Sequence, residues 1–197
     1  MIIKKSKALD TNLDSLVKYL PHDIDQFQAA RGEPYKFYAY ISTLVKNKVI
    51  LDVGTRMGLS ALALSYNDSN KVISYDLVEQ GASKIIKDNI EFKIMDFRSD
   101  DTLNYNDIDI IVIDVDPHDG IQEVSMLSFL KDKRWEGILI LDDILNNWVS
   151  PIPGANPEAM YNFWNGLQDE KYDLTDVAHY SGTGLVNFGS GYKIEIS

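Results

Sequence analysis

The chain contains no cysteine. That excludes disulfide staples, a thiolate nucleophile and sulfur-ligated zinc. Basic residues are few: 19 Lys and Arg stand against 30 Asp and Glu, for a formal net charge of -11. So acidic a chain repels phosphate backbones and anionic lipid, so neither nucleic acid nor membrane is expected as a main partner. A metal ion, a cationic cofactor or a small neutral molecule is easily accommodated. No apolar run is long enough to span a bilayer, and MIIKKSKALD lacks the apolar stretch of a secretory signal. The expected location is the cytoplasm. There is no internal repeat, low-complexity tract or domain linker.

What is present fits one soluble domain: 197 residues, 45% hydrophobic and 25% charged. Residues 1–47 are expected to form a helical cap on a core spanning 48–197. Leu13, Leu16, Val17 and Leu20 recur at helical spacing, and Pro21 ends that segment. A second helix is expected through 34–47, with Pro34 in its first turn and its aromatics, Tyr35, Phe37, Tyr38 and Tyr40, used in packing. From Lys48 onward, strands at 48–53, 71–76, 91–95, 108–114 and 137–142 alternate with helices at 58–66, 80–89, 120–131 and near 156–168. Such alternation implies a mainly parallel sheet with helices on both faces. YDLTDVAHY and TGLVNFGS follow as strand-like runs with only Ser181 and Gly182 between them. So short a link requires an antiparallel hairpin. The expected fold is α/β, Rossmann-like and doubly wound, with a seven-stranded, mainly parallel sheet and an antiparallel C-terminal hairpin.

Five of the apolar runs end in aspartate: KVILD (Asp52), KVISYD (Asp76), FKIMD (Asp96), IIVID (Asp114) and ILILD (Asp142). Short runs rich in Val, Ile and Leu read as strands buried on both faces. Acids at five successive strand ends imply a polar rim at one edge of the sheet, where ligands bind in open α/β folds.

The first strand–helix turn reads Asp52-Val53-Gly54-Thr55-Arg56-Met57-Gly58-Leu59-Ser60. Its glycines let a ligand and the following helix approach the strand. A G-x-G-x-x-G dinucleotide fingerprint needs glycine at 54, 56 and 59, and Arg56 and Leu59 break it. A phosphate loop ending in Gly-Lys-Ser/Thr is absent. Asp76, at the second strand end, stands where an acid holds a ribose diol in nucleoside-binding folds. Asp96 at the third strand end can accept from an exocyclic amine, with Met95 or Phe97 against a base.

These residues resemble class I S-adenosylmethionine-dependent methyltransferases over roughly residues 31–190. The resemblance rests on D-x-G-T-x-x-G-x-S, an acid at the second strand end, M-D at the third, I-D at the fourth and the terminal hairpin. Arg56 replaces the middle glycine of the family's commonest turn, a departure shared by the catechol-type branch, so the chain resembles most the catechol-type/macrocin-type, metal-dependent O-methyltransferases. The resemblance implies S-adenosylmethionine as cofactor. Gly54, Thr55 and Gly58 would then line its methionine part, flanked by Arg56, with Asp52 beneath the turn. Ser60 is either a contact to the carboxylate or a helix cap. Asp76, next to Leu77, would hold the ribose, and Met95, Asp96 and Phe97 the adenine. An acidic rim suits the cationic sulfonium, and Asp114 faces it.

The fourth and fifth strands end in Asp114 and in Asp142-Asp143. Parallel neighbours lie about 4.8 Å apart, so these acids can converge on one cation. Oxygen ligands suit Mg2+ or another hard divalent ion. The catechol-type branch is similar in binding a divalent metal at the matching positions. The alternative is that these acids are helix caps or solvated loop charges. A bound ion would lower the pKa of a substrate hydroxyl. Asp114 and His118 are the catalytic candidates, His118 as general base or as a plain loop histidine; the lysine of the catechol enzymes is replaced by Pro117. His179 beside Tyr180 reads as packing or as a wall of the acceptor pocket, and His22 carries little information. Arg31, Glu33 and Tyr38 fall where a lid over the cofactor would lie. Trp148, in the loop after the fifth strand, is a pocket wall or packing.

The leading function is O-methylation of a small hydroxylated molecule. The other readings are a nicotinamide-type oxidoreductase and a catalytically silent cofactor-binding protein; self-association into a homodimer is open. If the rim divides by task, Asp76→Ala abolishes S-adenosylmethionine binding in isothermal titration, whereas Asp142→Ala spares binding and removes turnover. Equal loss of binding in both would show that the rim does not divide in this way.

Overall fold

The computed structural model describes residues 1–20, 27, 32–149 and 152–197. The elements in chain order are β1 (Ile2–Ile3), α1 (Lys5–Asp10), α2 (Asp14–Val17), α3 (Tyr35–Thr43), β2 (Val49–Val53), α4 (Leu59–Leu64), β3 (Lys71–Asp76), β4 (Ile90–Ile94), β5 (Ile108–Ile113), α5 (Ile121–Asp132), β6 (Gly137–Asp142), α6 (Pro157–Gly166), β7 (Glu170–Asp173), β8 (Thr183–Phe188) and β9 (Glu195–Ile196). Seven strands form one sheet in the order β4-β3-β2-β5-β6-β8-β7. Strands β2 to β6 pair in parallel, and β8 pairs antiparallel with both β6 and β7. The chain winds outward from β2 to β4, then returns to β5 on the other side of β2. The strand order thus reverses between β2 and β5, which is where such sheets bind ligands.

The apolar strands are buried because both sheet faces are covered. Ile50, Val72, Ile110, Val112, Ile138, Ile140 and Leu185 pack with α3 and α4. Their alternating neighbours Leu51, Ile73, Ile111, Ile113, Leu139, Leu141 and Val186 pack with Met126, Leu127 and Leu130 of α5 and Met160 and Trp164 of α6. Helix α4, LSALAL, is buried on every side, held between α3 and the sheet. At roughly 1.5–3 kcal/mol per large buried apolar side chain, this two-sided burial dominates the stability of the fold.

Four expectations need correction. The segment 80–89 holds only a single 3-10 turn, Ala82–Lys84. Gly81 enters it at a φ of 116°, Ile85 is extended, and Ile86 is exposed, so no apolar helical stripe exists there. The Lys87 ammonium is drawn inward to the carbonyl of Ser65 at 3.0 Å and to Asp68 at 2.6 Å, which an extended chain allows. The hairpin is antiparallel as expected, but its link is 174–182 rather than two residues. Asp173 accepts from the backbone and hydroxyl of Thr175, and Val177 and Ala178 both bond the carbonyl of Leu174, so the chain coils after β7. The first helical segment is two short helices, α1 and α2. The amino terminus also carries a strand, β1, parallel to β9. Pro21, His22 and Arg31 lie outside the described residues.

Gly54, directly after β2, has a φ of 99°, and a Cβ there would sit 1.7 Å from the Asp114 carbonyl oxygen. No side chain fits without moving β2 from β5. We expect Gly54→Ala to lower stability by roughly 2–4 kcal/mol in denaturant melts; a wild-type melt would refute the close approach.

Candidate functional site

The site lies at the carboxyl ends of β2 to β6. The turn after β2 is closed by two backbone donors, Gly54 at 2.9 Å and Thr55 at 3.2 Å, to the Tyr75 carbonyl. Gly58 starts α4 at a φ of 84°, packed within 2.9 Å of Ile85 Cδ1 if it carried a Cβ. Asp52 is not on the rim. It is buried beneath the turn, where its Oδ2 accepts from Ser60 at 3.0 Å and Ser74 at 2.6 Å. Its Oδ1 is buried without a partner, and burial pushes its pKa up against those two bonds. Ser60 is thereby committed to Asp52, and Gly58, not Ser60, caps the helix.

A cleft of about 270 Å³ opens from the turn along the ends of β3, β4 and β5. Its walls include Gly54, Arg56, Asp76, Leu77, Met95, Asp96, Phe97, Asp114 and Val115. The Asp76 carboxylate is oriented by the backbone N–H groups of Arg56 at 2.7 Å and Val78 at 3.1 Å. Leu77 is 71% exposed on the lip. Asp96 is engaged by Arg98, whose guanidinium donates to both carboxylate oxygens at 2.6 to 3.0 Å. That partner holds the Asp96 pKa below its ordinary value. Phe97 is buried edge-on between Tyr75 and Phe129, so Met95 is the freer hydrophobic surface in the cleft.

A second hollow of about 60 Å³ continues around the turn, lined by Glu33, Tyr35, Thr55, Ser60 and again Gly54, Arg56 and Asp114. The buried Thr55 hydroxyl lies near enough to Asp52 to oppose the rise of its pKa but makes no well-formed hydrogen bond. Burial raises the Glu33 pKa, and His179 opposes that rise. Tyr38 belongs to the interior rather than to a lid.

Beyond Asp114 the rim becomes a cluster of acids and histidines. His118 Nε2 lies 3.3 Å from Asp143 Oδ2, 3.4 Å from Asp116 Oδ1 and 3.8 Å from Asp114 Oδ1. His179 Nδ1 lies 3.1 Å from Asp142 Oδ2, 3.8 Å from Asp143 Oδ1 and 2.8 Å from Ser181 Oγ. Thr183 donates to Asp142 at 3.1 Å. Trp148 packs edge-on against His118, with its indole N–H on the Leu145 carbonyl at 2.8 Å. In the sequence His179 reads as packing or as a wall of the acceptor pocket. The coiled link after β7 brings it to Asp142, with Ile144 and Leu145 bonded back to Gly182 and Ser181. No local pattern in the sequence signals that return.

The donor set fits a divalent cation. Asp143 Oδ1 is buried without a well-formed hydrogen bond, its ion-pair neighbour His179 Nδ1 lying at 3.8 Å, and the cluster offers hard oxygens with imidazole nitrogens. Burial, then the neighbouring Asp142, raises Asp143 to about 6. Burial and the Asp142 and Asp143 carboxylates push Asp114 upward as well. Against the opposing effect of burial, Asp142 raises His179 to about 9.

Neither a protein-family model nor a curated protein sequence matches the chain. Solved structures do match its fold. The methyltransferase PaMTH1 of Podospora anserina, bound to SAH, superposes with a TM-score of 0.61 at 15% identity, over 78% of this chain and 77% of that one. Cofactor-bound Rv0187 from MTB gives 0.59 at 16% identity, over 93% and 88%. The O-methyltransferase from Bacillus cereus in complex with SAH gives 0.53 at 15% identity, over 92% and 88%. The chain thus shares the fold of these structures, with the mainly parallel seven-stranded sheet and antiparallel end expected from its sequence.

Both Asp143 and His179 have folded pKa values above their ordinary ones. The stability each contributes is complete below the ordinary value and is lost as pH rises through the folded value. The windows are 3.8 to about 6 for Asp143 and 6.5 to about 9 for His179. The ion-free protein should therefore melt at progressively lower temperature as pH rises through both windows. His179→Gln should flatten the upper one in calorimetry. A midpoint that climbs between 6.5 and about 9 would contradict the arrangement.

Proposed function

We propose that this protein transfers the methyl group of S-adenosylmethionine to a hydroxyl of a small molecule, with a divalent cation held by Asp114, Asp142 and Asp143. The observation that carries this reading is the position of Asp114. It lines both the cleft and the hollow, and its carboxylate is also part of the acid–histidine cluster. A cofactor lying around the glycine turn would present its reactive end at the cluster.

In this reading Asp76 holds the ribose diol with the carboxylate already oriented by two backbone donors, and Met95 packs on the base. The hollow beside Thr55 and Glu33 takes the amino-acid end, where Glu33 can pair with the amine and the Thr55 hydroxyl with the carboxylate. The substrate oxygen attacks the methyl carbon in line, the carbon–sulfur bond breaks, and its electron pair returns to sulfur. The hydroxyl proton passes to a protein group. His118 is only 5% exposed, and its Nε2 faces carboxylates. With Asp114 committed to the ion, His118 Nε2, which lies 3.3 Å from Asp143 and 3.8 Å from Asp114, is the acceptor for that proton. A divalent ion, when bound, would acidify the hydroxyl and help to align it. Alignment and a prearranged field then carry most of the rate. A nicotinamide dinucleotide fits less well, because the amides of Gly54 and Thr55 are spent on Tyr75 and not free for a pyrophosphate.

Stripping divalent ions should cut transfer to a catechol- or sugar-type acceptor panel by about a hundredfold or more, while S-adenosylmethionine still binds in isothermal titration. Transfer that survives both chelation and Asp114→Ala would sink the metal-assisted mechanism; failure to bind S-adenosylmethionine would sink the whole reading.

A further inference from the structure

The acid–histidine cluster has two lobes that share one carboxylate. Asp114, His118 and Asp143 form the first, and Asp142, Asp143 and His179 the second; within each, the donor atoms lie within 4.8 Å of one another. The two oxygens of Asp143 point in different directions. Oδ2 is 3.3 Å from His118 Nε2, and Oδ1 is 3.8 Å from His179 Nδ1. Asp143 is only 6% exposed, and its Oδ1 makes no well-formed hydrogen bond. Among the described residues, these three aspartates form ion pairs with the two histidines and with no lysine or arginine.

We propose that the cluster holds two divalent transition-metal ions, one in each lobe, bridged by the Asp143 carboxylate. This rests on the proposed function insofar as the same acids bind a divalent cation. The charge count favours two ions over one. With Asp116, whose Oδ1 is 3.4 Å from His118 Nε2, four carboxylates face the cluster. A single divalent ion leaves two negative charges in excess, and two divalent ions bring the count to neutrality. Paired ions in enzymes sit about 3.5–4 Å apart, a span a bridging carboxylate covers. Each lobe also contributes one imidazole nitrogen. Nitrogen donors favour Mn2+, Fe2+, Co2+ or Zn2+ over Mg2+, which prefers an all-oxygen shell. Ser181 Oγ, 2.8 Å from His179 Nδ1, is the group that an ion in the second lobe displaces.

The test is a Mn2+ titration of the chelator-stripped full chain, read by isothermal titration and by electron paramagnetic resonance. The expected stoichiometry is two ions per chain, with an exchange-broadened spectrum in place of the hyperfine pattern of isolated Mn2+. His118→Ala and His179→Ala should each leave one ion with the isolated-ion spectrum. Asp143→Asn should weaken both sites by about tenfold or more. Circular dichroism checks folding, and His118→Gln and His179→Gln replace any alanine variant that does not fold. Mg2+ should bind at least about tenfold more weakly than Mn2+. One ion per wild-type chain, unaffected by the histidine variants, would overturn the two-ion centre and leave the single-cation reading standing. No ion at all would overturn both.

Discussion

The glycine turn after β2 lies directly against the backbone of Asp114 at the end of β5, and the site follows from that contact. At Gly54 the two strands come so close that no side chain fits between them. The turn is pinned from the other side by the Tyr75 carbonyl of β3. Three neighbouring strand ends are thereby fixed relative to one another. The cleft opens on one side of the turn, the smaller hollow on the other, and Asp114 forms part of the wall of both. Asp52 is taken out of the ligand surface by the same contact, since its carboxylate is needed beneath the turn to bond Ser60 and Ser74.

The second constraint is electrostatic. Carboxylates about 5 Å apart repel by roughly 3 kcal/mol at an effective dielectric near 20. The fold nevertheless brings Asp114, Asp142 and Asp143 together in a largely buried place, and two histidines are their ion-pair partners among the described residues. A scaffold that only needed stability would place a lysine there, as it does at Asp100, which Lys93 reaches at 2.6 Å. Asp143 and His118 both adopt left-handed backbone at a φ of 58°, another cost a purely structural loop need not carry. Buried like charges and backbone strain in one place are the marks of a functional site.

Much of the architecture was legible in the chain because strands covered on both faces must be apolar throughout. VILDV, KVISYD, IDIIVI and GILILD declare themselves without any partner. The segment 80–89 was not legible. Its state depends on Lys87 reaching the end of α4, a contact between residues 22 apart in sequence. The hairpin was legible as antiparallel but not in length, because Leu174, Val177 and Ala178 look strand-like and are buried in turns instead. The contact of His179 with Asp142 depends on the same coiled link.

The sequence by itself determined the class of fold, the polar edge of the sheet and the identity of the acids on it. Those depend on residue type and on periodicity, which are local properties. Only the tertiary structure decided how the acids divide. Asp52 went under the turn, Asp96 to Arg98, and Asp142 and Asp143 to two histidines, one of them from a distant loop. Those assignments are made by strand register and loop return, which set distances between residues that the chain order leaves far apart.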